Sequence, residues 1–320
     1  MNNKQIIVAN NHEHLKKLIE QEIALNGNEF DLNHIDTSLV TDMSNLFRSS
    51  KFNGDISLWN TSNVVDMTAM FFYSIFNNDI SKWNTSCVKK MNSMFNSSIF
   101  NGDISKWDTS NVTSMSYLFY YSAFNGDISK WDTSSVKEMQ CLFKKSVFNR
   151  DISGWNTSNV TDMIGMFEDS QFNGDISQWN TSEVQYMNAM FYCSKFNNDI
   201  SQWDTSNVKD MTAMFAHSYF NCDISKWNVS SLKYARYIFS NSKFKKDTTA
   251  WNAQSLISIN DLFNDCFAPI PYWAKIEKRD KRQEAIVAYH CSEEKEQLNS
   301  TIITTMNLYK DKKNKLIQKI

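Results

Sequence analysis

The sequence predicts an α/β solenoid of about ten 24-residue coils, each a short strand plus a short helix, closed by helical caps at both ends. Three observations lead there. Trp59, Trp83, Trp107, Trp131, Trp155, Trp179, Trp203, Trp227 and Trp251 follow one another at intervals of 24 residues, so nine of the ten tryptophans are one structural position. Phenylalanine recurs seven and twelve residues before each of them, from Phe52 to Phe244 and from Phe47 to Phe239, and Met43, Met67, Met91, Met115, Met139, Met163, Met187 and Met211 share a further position. Only 7 Gly and 2 Pro among 320 residues are too few for a loop-rich two-domain enzyme.

Three segments follow in order. Residues 1–28 form an N-terminal helical cap, because Leu15, Leu18, Ile19, Ile23 and Leu25 recur at roughly helical spacing. Residues 29–268 hold the coils, beginning with a degenerate one around Ile35. Within the unit 107–130, Val112, Met115, Leu118 and Phe119 are spaced to share one face of a helix of two to three turns. Thr109 and Ser110 precede it as N-cap hydroxyls, residues 124–127 (FNGD) make a turn, and residues 128–131 are short enough for one strand. A single coil cannot bury its own apolar face, whereas stacked identical coils place Trp on Trp and Phe on Phe. The pattern fades at Val229, Ala235, Lys245, Lys246 and Ala253, and Pro269 and Pro271 close it. Residues 269–320 form a basic helical tail: over 275–320, 11 Lys and Arg stand against 7 Asp and Glu. Ile286, Ala288, Tyr289 and Leu298 are expected to meet the last coil, making the tail a cap rather than a nucleic-acid arm.

With the unit laid out as W-[ND]-T-S-x-V-x-x-M-x-x-[ML]-F-x-x-S-x-F-N-x-D-I-S-x, the chain over roughly residues 30–268 resembles the BspA-type leucine-rich-repeat surface proteins, specifically the mycoplasma lipoprotein-associated repeat. The resemblance implies a right-handed, leucine-rich-repeat-like superhelix used for binding, often displayed on bacterial cell surfaces, and it implies no reaction.

Composition narrows the function further. Lys plus Arg number 33 against 35 Asp plus Glu, a net charge of -2 that argues against a nucleic-acid-binding chain. No apolar run is long enough to insert in a membrane, and the start MNNKQIIVANNHEHLKK carries neither a signal-like apolar core nor a lipobox cysteine, so a cytoplasmic location is expected. Cys87, Cys141, Cys193, Cys222, Cys266 and Cys291 fall at unrelated places, as free thiols in a reducing compartment do. Sequons at Asn60, Asn84, Asn156, Asn180 and Asn228 lie beside core tryptophans, where glycans would crowd the stack. No metal or cofactor is expected. His12 and His14 are two apart on a helix start and do not share a face. The ladder from Asp55 through Asp127 to Asp247 lacks a second repeating carboxylate for a cation, and each Asp is expected to accept N–H groups of its own or the next turn.

Recognition belongs where the repeat leaves residues free to vary. Thirteen and fourteen residues after each Trp stand Phe72 and Tyr73, Tyr120 and Tyr121, Lys144 and Lys145, Glu168 and Asp169, Tyr192, and His217, aromatics beside charges that suit a protein interface. Lys82, Lys106, Lys130, Gln178, Gln202 and Lys226 form a second, mildly basic row. The expectation is a monomeric, non-catalytic scaffold that binds another protein, in the cytoplasm as an immunity-like neutraliser or adaptor. The alternative is a surface adhesin for host or neighbouring-cell macromolecules, with an enzyme a distant third.

Overall fold

The computed structural model describes residues 5–317, and the side chains of residues 5–298, 300, 301 and 304. Among the described residues, regular elements lie only towards the two ends. Strand β1 (Ile7–Val8) pairs in parallel with β2 (Ile35–Asp36), with Ile7 opposite Ile35, and helix α1 (His12–Asn26) lies between them. A 3-10 turn (Tyr272–Lys275) and helix α2 (Arg279–Ile317) follow the repeats. Between β2 and that turn the chain is built from turns, tied together by single-residue parallel bridges one unit apart, from Asp42 with Asp66 to Asp210 with Tyr234.

The short helix expected in each unit is therefore absent among the described residues, and the hydrogen bonds show why. The N–H groups of Met115, Tyr117, Phe119 and Tyr121 donate to the carbonyls of Glu138, Gln140, Leu142 and Lys144 in the next unit at 3.0, 2.8, 3.0 and 2.8 Å. Those of Leu118 and Tyr120 donate three residues back, to Met115 and Tyr117, at 3.1 and 3.2 Å. A helix would send every one of them four residues back along the same unit. Instead alternate groups face the neighbour, and the backbone switches to the left-handed region at Tyr117 (φ 60) and Tyr121 (φ 48) to arrange it. The same switch recurs every unit, at Ala69 and Tyr73, Cys141 and Lys145, Gly165 and Asp169, and Ala213 and His217.

The strand expected over 128–131 is also a turn: Trp131 N–H donates to the Ile128 carbonyl at 3.2 Å, after Asp127 Oδ1 has accepted Ser129 N–H at 2.9 Å. Parallel pairing occurs elsewhere in the unit, at Ser114, which bridges Lys90 on one side and Glu138 on the other. Thr109 caps no helix. Its buried hydroxyl donates across the stack to the Asp132 carbonyl at 2.9 Å, while Ser110 N–H is held by Asp108 Oδ1 at 3.0 Å.

What was expected of the core is observed. Trp, Val, Met, both Phe and Ile of each full unit are buried in one continuous cluster. Phe119 stacks on Phe95 and Phe143 of the adjacent units at 5.9 and 5.8 Å and on Phe124 of its own at 4.3 Å. Trp83 stacks between Trp59 and Trp107 at 6.4 Å on each side. Each large side chain so buried stabilises the fold by ~1.5–3 kcal/mol, and only a neighbouring unit can cover its faces. The chain is thus a repeat protein whose units are not independent.

Both ends are covered. Asn11 caps α1 by accepting His14 N–H at 2.9 Å, and Leu15, Leu18 and Ile19 are buried, but Leu25 points away from that face and is exposed. At the other end Trp273, Arg282 and Ile286 are buried against the last unit, whereas Ala288 and Leu298, expected there, are exposed, and Tyr289 is half-buried against Tyr272 at 5.0 Å. Arg282 donates to the Leu256 carbonyl at 2.7 Å and to the Ile276 carbonyl at 3.1 Å, so a guanidinium satisfies backbone that a further unit would otherwise meet. The expected cap segments 1–28 and 269–320 include residues 1–4 and 318–320, which lie outside the described residues.

Candidate partner-binding surface

The variable residues sort into two rows of different character. Tyr73, Tyr121, Lys145, Asp169 and His217 occupy the second left-handed position of their units, with φ between 48° and 56°, and all are exposed, Tyr73 at 67% and Tyr121 at 64%. Their backbone N–H groups donate to the next unit, Tyr73 to Asn96, Tyr121 to Lys144, Lys145 to Glu168, Asp169 to Tyr192 and His217 to Ser240. Each exposed side chain therefore stands on a fixed backbone, a rigid base for aromatic contacts.

The companion row, Phe72, Tyr120, Lys144, Glu168 and Tyr192, is half-buried and largely occupied with itself. The Arg48 guanidinium sits 4.1 Å from the centre of the Phe72 ring, and Tyr120 lies 6.0 Å from Tyr117. Lys144 Nζ contacts Glu168 Oε2 at 2.8 Å; burial alone would lower the Lys144 pKa, but the Glu168 carboxylate outweighs it and leaves the ammonium raised. Lys144 is thus a bridge between two units rather than a free cation for a partner. Tyr192 makes an edge contact with His217 of the next unit at 5.4 Å, and its phenol is pushed up by desolvation and by Cys193 beside it.

Sequence reasoning missed a third row. Ile75, Ile99 and Val147 are exposed, 45%, 53% and 50%, with Ala123 between the last two in the same repeat position. Together with Tyr73 and Tyr121 they give the turn face an apolar strip over successive units. The available signal was β-branched apolar residues at a position that carries Lys51, Gln171, Lys195 and Lys243 in other units. Tyr117, Tyr186, Tyr234 and Tyr237 add exposed aromatics on the bridge side of the same turns.

The aspartate ladder is used structurally. Asp79, Asp103, Asp127, Asp151, Asp175 and Asp223 each accept the N–H of the serine two residues on, at 2.8–2.9 Å. Hydrogen bonds from that N–H and from the same serine's hydroxyl hold all six carboxyls below the usual range, and the neighbouring carboxylate opposes this only weakly, as Asp151 does at Asp175. Among the described residues no group of three or more His, Cys, Asp or Glu could hold a metal ion. His12 and His14 turn to different partners: His12 Nδ1 lies 3.3 Å from the Asp42 carbonyl, and His14 Nδ1 accepts Asn10 N–H. The second variable row, Lys82, Lys106, Lys130, Gln178, Gln202 and Lys226, is exposed beside the aspartates. Surface depressions of about 450 and 470 Å³ are open, one beside Cys222 and Lys246 and one beside Tyr234 and Arg236. Among the described residues no helix is long and apolar enough to cross a membrane.

Comparison with known proteins adds one finding. No curated protein and no solved structure matches the chain. The model of one family, described as "Mycoplasma protein of unknown function, DUF285", matches it three times in tandem, over residues 14–123, 96–194 and 169–270. With those matches spanning most of α1, the repeats and the start of the C-terminal cap, the chain belongs to the DUF285 family.

Proposed function

We propose that the chain is a non-catalytic solenoid scaffold that holds another protein against the turn face of its repeats. The observation that carries this reading is the contrast between the two sides of the same turns. Inward positions repeat the same Trp, Phe, Met, Val and Ile, while outward positions of those units present Tyr73, Ile75, Ile99, Tyr121 and Val147 in exposed rows on a fixed backbone. Aromatic anchors flanked by apolar residues, with Lys145, Asp169 and His217 continuing the row as a polar margin, have the composition of a protein interface. The likeness of the units to BspA-type leucine-rich repeats supports a right-handed superhelix and a binding role. The six unpaired thiols support a reducing compartment, and so a cytoplasmic neutraliser or adaptor.

The test compares the tagged chain with a Tyr73→Asn/Tyr121→Asn variant in pull-downs from the source cells. Asn keeps the left-handed backbone affordable, so folding is preserved while the aromatic contacts are removed. The expected result is one stoichiometric protein retained by the native chain and lost with the variant. Equal retention by both would place the binding surface elsewhere.

A further inference from the structure

The bridge side of the turns carries a surface of its own. Parallel bridges join Tyr186 to Asp210 and Asp210 to Tyr234, so these three positions form one column along the stack. Met211 and Ala235 beside it are buried, and the residues beyond them, Thr212 and Arg236, form a second outward column. Tyr186 is 39% exposed and Tyr234 47%. At ~4.8 Å per bridged step the two tyrosine positions stand roughly 10 Å apart along the stack, with Asp210 between them.

The hydrogen-bond ladder opens at the end of these columns. In the unit before, Met211 and Ala213 donate their N–H groups to the carbonyls of Tyr234 and Arg236, each at 2.8 Å. One unit on, the N–H groups of Ala235 and Tyr237 and the carbonyls of Ser258 and Asn260 have no hydrogen-bond partner among the described residues. The two units stay joined on either side of this opening, by Ile257 N–H on the Lys233 carbonyl at 3.0 Å and by Phe239 N–H on the Leu262 carbonyl at 3.1 Å. The depression of about 470 Å³ lies here, and Asp210, Thr212, Tyr234, Arg236, Ser258 and Asn260 line it.

This mixture of groups selects among ligand classes. An anion held by Arg236 would meet the Asp210 carboxylate and two bare carbonyls, and a cation held by Asp210 would meet the guanidinium and two bare N–H groups. A neutral polyol suits both, because each hydroxyl donates to a carbonyl or carboxylate and accepts from an N–H or a guanidinium. Asp210 Oδ1 accepts Thr212 N–H at 2.8 Å, which leaves Oδ2 open to a hydroxyl, and the Arg236 fork is steadied by Nη2 donating to the Tyr237 hydroxyl at 3.1 Å. Exposed phenol rings give the apolar C–H face of a pyranose a surface to stack on. Spacing then selects among glycans. In an extended β-1,4-linked chain each ring advances by about one solenoid step and is turned over relative to the last, so the same face returns at every second step, as Tyr186 and Tyr234 do. An α-1,4-linked chain curls and loses that register.

We propose that the bridge-side surface binds a neutral β-1,4-linked glycan lying along the stack, with pyranose rings on Tyr186 and Tyr234 and hydroxyls bonded to Asp210, Arg236 and the open main-chain groups. This binding is independent of what the turn face holds.

Isothermal titration calorimetry of the full chain with cellohexaose, the chitin hexasaccharide and maltohexaose tests it. Binding of a β-1,4-linked hexasaccharide is expected, and none of the α-1,4-linked maltohexaose. Tyr186→Ala and Tyr234→Ala are each expected to weaken binding by on the order of tenfold, with thermal unfolding showing that both variants are folded. Tyr234→Phe, which keeps the ring, and Tyr73→Asn/Tyr121→Asn on the turn face are expected to bind as the native chain does. No binding of either β-1,4-linked hexasaccharide at about 1 mM, equal binding of maltohexaose, folded alanine variants that bind as well as the native chain, or loss of binding in the turn-face variant would each overturn the proposal.

Discussion

The indole N–H of Trp83 donates to the main-chain carbonyl of Ile56, 27 residues earlier, at 3.1 Å, and that carbonyl also accepts the backbone N–H of Trp59 at 3.2 Å. One oxygen thus closes the turn of its own unit and anchors the tryptophan of the next. The relationship repeats from Trp59 on Leu32 to Trp251 on Ile224. The tryptophans therefore bind units together through a polar contact as well as through stacking. Trp155→Phe keeps an aromatic ring but loses the bond to the Ile128 carbonyl and leaves a void. A loss of roughly 2–4 kcal/mol in urea unfolding is expected, from one hydrogen bond and the missing ring volume. A loss under about 0.5 kcal/mol would mean that the indole N–H contributes nothing.

Buried threonine hydroxyls make a second set of ties. Thr133 Oγ1 donates to the Asn156 carbonyl at 2.9 Å. Thr133→Val preserves shape but strands that carbonyl, so a destabilisation of about 1–3 kcal/mol is expected on denaturant titration, with Thr133→Ser closer to the native value. The chain already has Val229 in this position near the end of the array, where the units degrade.

Backbone handedness gives a prediction of unusual sign. Ala213 has φ 56, where a Cβ is unfavourable, whereas Gly165 holds the corresponding place at φ 58. Ala213→Gly is expected to raise stability by up to ~1 kcal/mol, the reverse of the usual effect of glycine. Gly165→Ala is expected to lower it, because the added methyl would also stand 3.1 Å from Cys141 Sγ and 3.1 Å from Glu168 Oε2. Thermal unfolding of the two variants checks both directions.

These same positions explain what the sequence made legible and what it hid. Spacing alone located the core, because a residue that must meet its copy in the next unit cannot change, and it placed α1 through Leu15, Leu18 and Ile19. It misread the turns. Val112, Met115, Leu118 and Phe119 lie on one side of a helix, but they lie equally on one side of linked turns whose alternate N–H groups point to the neighbour. The correcting signal was small: Gly165 and Asn45 at one place in the unit and Asn241 at the other, residues that tolerate a left-handed backbone. In the candidate surface, Tyr73 and Tyr121 were legible as exposed variation. Lys144 was not, because its ion pair with Glu168 joins residues 24 apart that only the stack brings together.

Acid should weaken the fold through the aspartate ladder. Backbone N–H and serine hydroxyl donors hold Asp103, Asp127, Asp151, Asp175 and Asp223 below the ordinary carboxylate range, so the folded state binds protons less readily than the unfolded one. Their stabilisation is present above the unfolded value and is lost as pH falls through the folded ones. Stability is expected to be flat from about pH 7 to 5 and to fall below about pH 4, more gently in Asp127→Asn, which still accepts the Ser129 N–H. Urea midpoints measured at several pH values test this, and a fall between pH 7 and 5 would point to other groups.

Alternate turn N–H groups of each unit, Met115, Tyr117, Phe119 and Tyr121 in one of them, are satisfied by the next unit rather than within their own. Tyr121 and Asp265 occupy the same repeat position with the same left-handed backbone, φ 48 in both, but Tyr121 N–H donates to Lys144 at 2.8 Å whereas Asp265 lies in the last unit and, among the described residues, its N–H has no acceptor. Native-state hydrogen exchange resolved at these two amides is the most direct measurement. Protection of Tyr121 over Asp265 by on the order of 100-fold or more is the result predicted, since opening the interior amide requires separating two packed units. Comparable protection of both would mean that the Tyr121 amide is not held by the next unit.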